Sequence, residues 1–304
     1  MAKITYGAVT DHTAILTRFA LTKGFFREAG IDLTLKAVYG GPEMSAAVDR
    51  DEVQIGEVGT PPGLTAIASG HRIRIVGSGL DRGLAFFLIA HPSIATWADF
   101  KGKTVAALSR GSCGYWYLRD LLQQHGVDPD RDVAFRYLGP DSGRPLDFFA
   151  SGEIVGMLAS EPHVTVGERK GVAKFWGGPL ELGDVPDIQW SIQIANTGFL
   201  DRDPALARET LRVIRDTGQY AKHHREEWLA FYADLFGVDR SVARAALERE
   251  WPLFHFDGQV DVPGLVRAIE YQHKIGAIPR IFGVDEVARL EFQPAPVEEL
   301  ALAS

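Results

Sequence analysis

The sequence predicts an α/β protein of two similar lobes, each a mixed sheet flanked by helices, with a ligand cleft between them. Three observations point there. Strand-like and helix-like segments alternate from residue 4 onward, the pattern of sheets built with crossover helices. Two stretches about a hundred residues apart read alike: Met44–Pro61 and Leu146–Pro162 each run short helix, acidic turn, apolar strand, then a small or polar loop with proline. That spacing is too long for a solenoid repeat and suits two lobes. The chain has 304 residues, enough for two cores.

The first strand is Ile4–Val9. Thr13–Ala29 carries helix-spaced apolar residues at Ile15, Leu16, Phe19, Ala20 and Leu21 and stops at Gly30. Strand Ile31–Val38 closes at Gly40-Gly-Pro42. Short helix Glu43–Asp49 leads into strand Val53–Val58, and Gly59-Thr-Pro-Pro62 precedes helix Leu64–Ser69. Strands Arg72–Gly79 and Ala85–Ala90 follow. The second series holds strand Thr104–Leu108, the turn Arg110-Gly-Ser-Cys-Gly114, a helix from near Tyr115, strand Val133–Tyr137, helix Leu146–Ala150, strand Ile154–Leu158 and helix Thr165–Lys170. After strand Ile192–Ala195 the pattern becomes helical. Asp203 and Pro204 suit the N-cap and first turn of one long helical region reaching Phe236. Helices Arg240–Glu250 and Val262–Ile275 come next, and the prolines after Phe292 predict a loosely held tail.

Charge and motifs exclude several classes. A net charge of -8 argues against nucleic acid or an anionic membrane as partner. The single cysteine, Cys113, excludes an intrachain disulfide and a cysteine-rich metal site. No metal motif stands out, since the adjacent His223 and His224 diverge on a helix. No apolar run nears the ~20 residues of a membrane span. There is no P-loop, no Gly-x-Gly-x-x-Gly after a strand and no Gly-x-Ser-x-Gly elbow, so no cofactor is expected. The chain enters its first strand without a signal-peptide pattern, so the sequence as written is expected to be cytoplasmic; a trimmed mature form would be periplasmic.

Several segments, taken in order, resemble type II periplasmic binding proteins. Lys23-Gly-Phe-Phe-Arg-Glu-Ala-Gly-Ile-Asp-Leu33 is similar to the opening motif of the group that binds sulfonates, nitrate-like anions and thiamine-precursor pyrimidines. Val53–Gly59, Ala68–Val76, Trp97–Ala106, Gly111-Ser112, Ala150–Ile154 and Glu161-Pro-His163 continue the match, which spans roughly residues 3 to 280. Glu153-Ile-Val-Gly-Met157 departs from the family's usual aspartate and alanine. The cysteine-rich motif of the pyrimidine-forming synthases is absent. The resemblance implies one lobe from residues 1–90 and 191–304, a second inserted lobe from residues 91–190, and a hinge at the two crossovers. It implies a solute-binding protein that closes on a small anionic or aromatic molecule and serves an ABC permease. It also implies an alternative, because the group includes cytosolic decarboxylases and desulfinases, and a cytoplasmic ligand sensor is a third option.

The strongest candidate site is the turn Arg110-Gly-Ser-Cys-Gly114, whose backbone N–H groups and Ser112 hydroxyl suit a carboxylate, sulfonate or phosphate. Ser112 would equally serve as a plain N-cap. Cys113 reads as a nucleophile or acid partnered by His12 or His163 if the protein is an enzyme, and otherwise as a small gap-filler. In the implied fold the loop carrying His12 and Thr13 faces the cleft, although Asp11 or Thr13 could simply cap the next helix. Gly41, Gly59 and Thr60 would contribute from the first lobe, as ligand contacts or as turn residues. Tyr115, Trp116 and Trp190 are candidates for stacking on a flat ligand, and Trp116 and Tyr117 suit core positions equally well. Glu161 reads either as a hydrogen-bonding partner of His163 or as a hinge or cap residue.

Overall fold

The computed structural model describes residues 1–296. Ten strands form two five-stranded sheets. The first sheet holds β1 (Ala2–Ala8), β2 (Ile31–Ala37), β3 (Ile55–Gly59), β4 (Ile73–Ser78) and β10 (Ser191–Asn196), in the order β2-β1-β3-β10-β4. The second holds β5 (Phe87–Ala90), β6 (Lys103–Ala107), β7 (Val133–Tyr137), β8 (Gly156–Ala159) and β9 (Lys174–Gly177), in the order β7-β6-β8-β5-β9. In each sheet one antiparallel strand arrives by a crossover from the other sheet's sequence. β10 sets Ile192 opposite Val58 of β3, and β5 sets Leu88 opposite Leu158 of β8. The two stretches that read alike take equivalent places: helix Gly41–Asp49 feeds β3 and helix Pro145–Ala150 feeds β8, third in each order.

Several boundaries differ from the sequence reading, for local reasons. Helix Thr13–Ala29 is two helices, Ile15–Lys23 and Phe25–Glu28, broken where Gly24 adopts a φ of 81°. The long helical region breaks at His224 into Pro204–His223 and Arg225–Phe236. Asp203 makes no side-chain capping bond. Strand β9 and helix Thr197–Arg202 were too short to show a period; Asn196 caps the latter, accepting from Phe199 N–H at 3.1 Å. The tail is held more firmly than expected as far as it is described. Phe292 is buried, and the carbonyls of Pro294 and Ala295 accept from Gln259 and Arg215. Residues 297–304 of that tail lie outside the described residues.

Each sheet packs a core cluster of its own, and a third cluster spans both. Helix Cys113–Gln124 follows β6, yet Tyr117, Leu118 and Leu121 are buried in one apolar cluster with Leu64, Ile192, Leu265 and Ile269. Tyr117 stacks on Tyr271 with ring centroids 5.9 Å apart, and Gln272 Nε2 donates to its hydroxyl at 3.2 Å. Unfolding is therefore expected as one calorimetric transition. Leu121→Ala, which empties space in this shared core, should cost about 2–5 kcal/mol and lower that single transition. Two separable transitions, only one of them moved by the substitution, would contradict a shared core.

Candidate functional site

Two pairs of parallel strands, one pair in each sheet, point their carboxyl ends at one cavity of about 730 Å³, the place where open α/β sheets bind ligands. β1 ends in the loop Val9–Thr13, β3 at Gly59, β6 before Ser112 and β8 at Ala159 before Glu161; all four ends contribute to the lining. Trp190 and Phe86, from the two crossovers, close one side, with ring centroids 5.2 Å apart.

The first-lobe floor is built around His12. After β1 the chain turns through Ala14, at a φ of 61°, whose N–H bonds the Glu57 carboxylate. That turn seats His12 between two acids, with Nδ1 3.2 Å from Asp81 Oδ2 and Nε2 2.9 Å from Glu250 Oε1. Burial alone would lower its pKa, but the Glu250 and Asp81 carboxylates outweigh burial and hold it up to about 10. Burial pushes Asp81 up to about 7, partly offset by His12. Glu57 is also raised by burial; its carboxylate accepts from the Tyr6 and Ser191 hydroxyls, each at 3.2 Å. His163 stays neutral, its pKa lowered to about 4 by burial and by the nearby charge on His12.

The second-lobe wall is the turn before helix Cys113–Gln124. Ser112 is the N-cap residue, but its hydroxyl makes no capping bond and instead accepts from Ser109 N–H at 3.4 Å. The Cys113 sulfur packs so closely on Gly59 that a methyl group there would overlap it. Burial pushes this thiol up to about 12, which leaves no thiolate at neutral pH. Among the described residues no hydrogen bond joins Cys113 to His12 or His163.

His12, Thr13, Gly41, Gly59, Ser112, Cys113, Gly114, Glu161, His163 and Trp190 all line the cavity. Thr60, Arg110, Gly111 and Tyr115 do not. Thr60 is fully buried in the first turn of helix Thr60–Ala68, with its N–H on the Trp190 carbonyl at 2.9 Å. Gly111 turns the chain at a φ of 81° and Arg110 is exposed. One helical step carries Tyr115 to the far side, against Phe135 and under Arg119. Glu161 and His163 are not a pair. The Glu161 carboxylate accepts from Thr165 N–H and Oγ1, both at 2.9 Å, and so caps helix His163–Lys170 while binding Arg249. Neither Asp11 nor Thr13 caps the first helix; Asp11 pairs with Arg18 at 3.0 Å.

The sequence reading missed Glu57, Asp81 and Glu250. Glu57 carried a signal, a charge inside the apolar run Val53–Val58. Asp81 and Glu250 carried none, since they meet His12 only in three dimensions. Among the described residues no group of three His, Cys, Asp or Glu side chains is placed to hold a metal ion, and no helix is long and apolar enough to cross a membrane.

A two-sheet α/β molecule with its cavity at the strand ends is the architecture of the periplasmic binding proteins. The chain belongs to the NMT1/THI5-like family, whose model matches residues 9–228. It is 23% identical over 236 residues to YtlA of Bacillus subtilis, named as a binding protein, covering 76% of this chain and 70% of that one. It is 26% identical over 216 residues to an Escherichia coli protein named for binding aliphatic sulfonates, covering 70% and 65%. The alkanesulfonate-binding protein SsuA of Xanthomonas axonopodis pv. citri, bound to MOPS, superposes with a TM-score of 0.73 at 18% identity over 95% of this chain and 98% of that one. A DSZB desulfurization-enzyme variant holding biphenyl-2-sulfinic acid superposes at 0.62 and 18% identity over 96% and 97%. At such identities these two structures share the fold alone.

Two outcomes follow from the electrostatics. Cys113 should react with a thiol reagent such as DTNB at pH 8 far more slowly than free cysteine; labelling at the free-cysteine rate would refute the raised pKa of the thiol. Asp81 binds its proton more tightly folded than unfolded, so its contribution to stability falls as pH rises from about 4 to about 7. His12 adds a loss in the same direction as pH rises from about 6.5 to about 10. Asp81→Asn cannot titrate, so its melting temperature should gain on the wild type between pH 5 and pH 7. A gap that stays constant over that range would remove the linkage.

Proposed function

We propose that this protein is a solute-binding protein that captures a small molecule between its lobes, releases it unchanged and serves an ABC permease. The observation that carries the reading is the cavity itself: about 730 Å³, at the carboxyl ends of strands from both sheets, walled by Trp190, Phe86 and other apolar groups. The binding-protein relatives support it. Against the enzyme alternative built on Cys113 and His12 stand a thiol whose pKa is raised and a histidine whose two nitrogens both face carboxylates. Under this reading the protein works outside the cytoplasmic membrane.

Capture needs an opening motion, and the contacts suggest its geometry. The two crossovers pair with each other, Trp190 N–H on the Arg82 carbonyl at 2.9 Å and Ser191 N–H on Asp81 at 3.0 Å. Beside them lies the shared core around Tyr117. On the opposite side polar contacts bridge the mouth: Arg249 binds Glu161 and, at 2.9 Å, Glu168, and Arg169 Nη1 donates to Ser241 Oγ at 2.8 Å. We infer a one-sided clam that pivots at the crossovers and parts at Arg249 and Arg169.

A thermal-shift screen of small carboxylates, sulfonates and nitrogen heterocycles tests the reading. A true ligand at a hundredfold its Kd adds about 2.7 kcal/mol to stability; turnover of that ligand to a new mass, or no stabilisation by any class, would sink it. Arg169→Ala, which loosens the mouth at an exposed position, should speed ligand release severalfold. An unchanged release rate would argue against the clam.

A further inference from the structure

We propose that the first-lobe floor selects a ligand carrying a cationic donor nitrogen, an ammonium or an amidinium, and that Asp81 is the residue that accepts from it. The proposal rests on the solute-binding reading above and specifies its ligand. Asp81 is 7% exposed and lines the cavity. Its Oδ2 faces His12, while its Oδ1 accepts no hydrogen bond from the protein. A buried carboxylate oxygen left without a donor is costly, and a donor entering from the cavity removes that cost.

The charge around it points the same way. Three buried carboxyl groups, those of Glu57, Asp81 and Glu250, surround a single cationic ring, that of His12. Glu57 is bonded only by neutral donors, the Tyr6 and Ser191 hydroxyls and the Ala14 N–H. Of the cations that line the cavity, Arg18 pairs with Asp11 and Arg144 with Asp141 at 2.8 Å, while Lys170 is exposed at the end of its helix; beside them Arg249 binds Glu161. His163 is neutral. Once Asp81 is ionised, above about pH 7, an anion placed on this floor meets a carboxylate in a low-dielectric setting, whereas a donor nitrogen completes the pairing. The sulfonate chemistry named for the relatives is therefore not what this floor favours.

Four probes on one benzene ring separate the possibilities: benzamidine and benzylamine against benzoate and benzenesulfonate, titrated calorimetrically into the full-length protein at pH 8. Benzamidine or benzylamine is expected to bind at least tenfold more tightly than either anion. Asp81→Asn should weaken that binding about tenfold and leave any anion binding unchanged or stronger. The wild-type ratio decides the matter even if the variant folds poorly. Tighter binding of the anions, or equal binding of both classes, overturns the donor-nitrogen floor and leaves the solute-binding reading standing. Binding of none of the four counts against both.

Discussion

Each sheet is completed by a strand that the chain delivers on its way across from the other, and this exchange constrains everything else. β5 and β10 lie antiparallel inside otherwise parallel sheets, so the crossovers must run side by side between the sheets. With the sheets joined there, the carboxyl ends of β1, β3, β6 and β8 have only one space to face. The cavity is the gap that strand exchange leaves. Helix Cys113–Gln124 then packs into the cluster formed with Leu265 and Ile269, while Arg249 and Arg169 make polar contacts between the lobes, with Glu168 and Ser241.

The polar heart of the site is a small charge network held in that gap. A lone buried histidine would be neutral, as His163 is; His12 is cationic because Asp81 and Glu250 reach it from two separate segments. The network is unbalanced, with more carboxyl groups than cations, and one oxygen of Asp81 is left without a protein donor. Burying such an arrangement costs stability in the empty protein. A ligand that restores the balance recovers that cost as affinity, so the strain in the apo floor and the selectivity of the site have one physical origin.

The turn at Ser112 and Cys113 shows how far a motif can be read. A small-residue turn leading into a helix N-terminus is where an anion or a reactive thiol is expected. The turn does reach the cavity, through Ser112, Cys113 and Gly114. What alters the chemistry is a neighbour 54 positions earlier: Gly59, lacking a side chain, lets the sulfur press onto backbone, and the thiol is driven up rather than down. The helical step after Gly114 likewise decides that Tyr115 joins the aromatic cluster with Phe135 instead of a ligand.

The alternation of strand and helix, the likeness of Met44–Pro61 to Leu146–Pro162 and the ordered segments from Lys23 to His163 were enough to determine the two-lobed fold, because strand and helix periods and turn chemistry are local properties of a chain. The same local signals located the loops of His12, Gly59, Ser112 and His163 at strand ends, and hence at the cavity. They failed at Gly24 and His224, where a single backbone angle breaks a pattern that otherwise continues. Only the tertiary structure decided the charge of the site. Glu57, Asp81 and Glu250 stand far apart in the chain, a net charge of -8 says nothing of where its acids gather, and the state of a buried group depends on neighbours that only folding brings within a few ångströms.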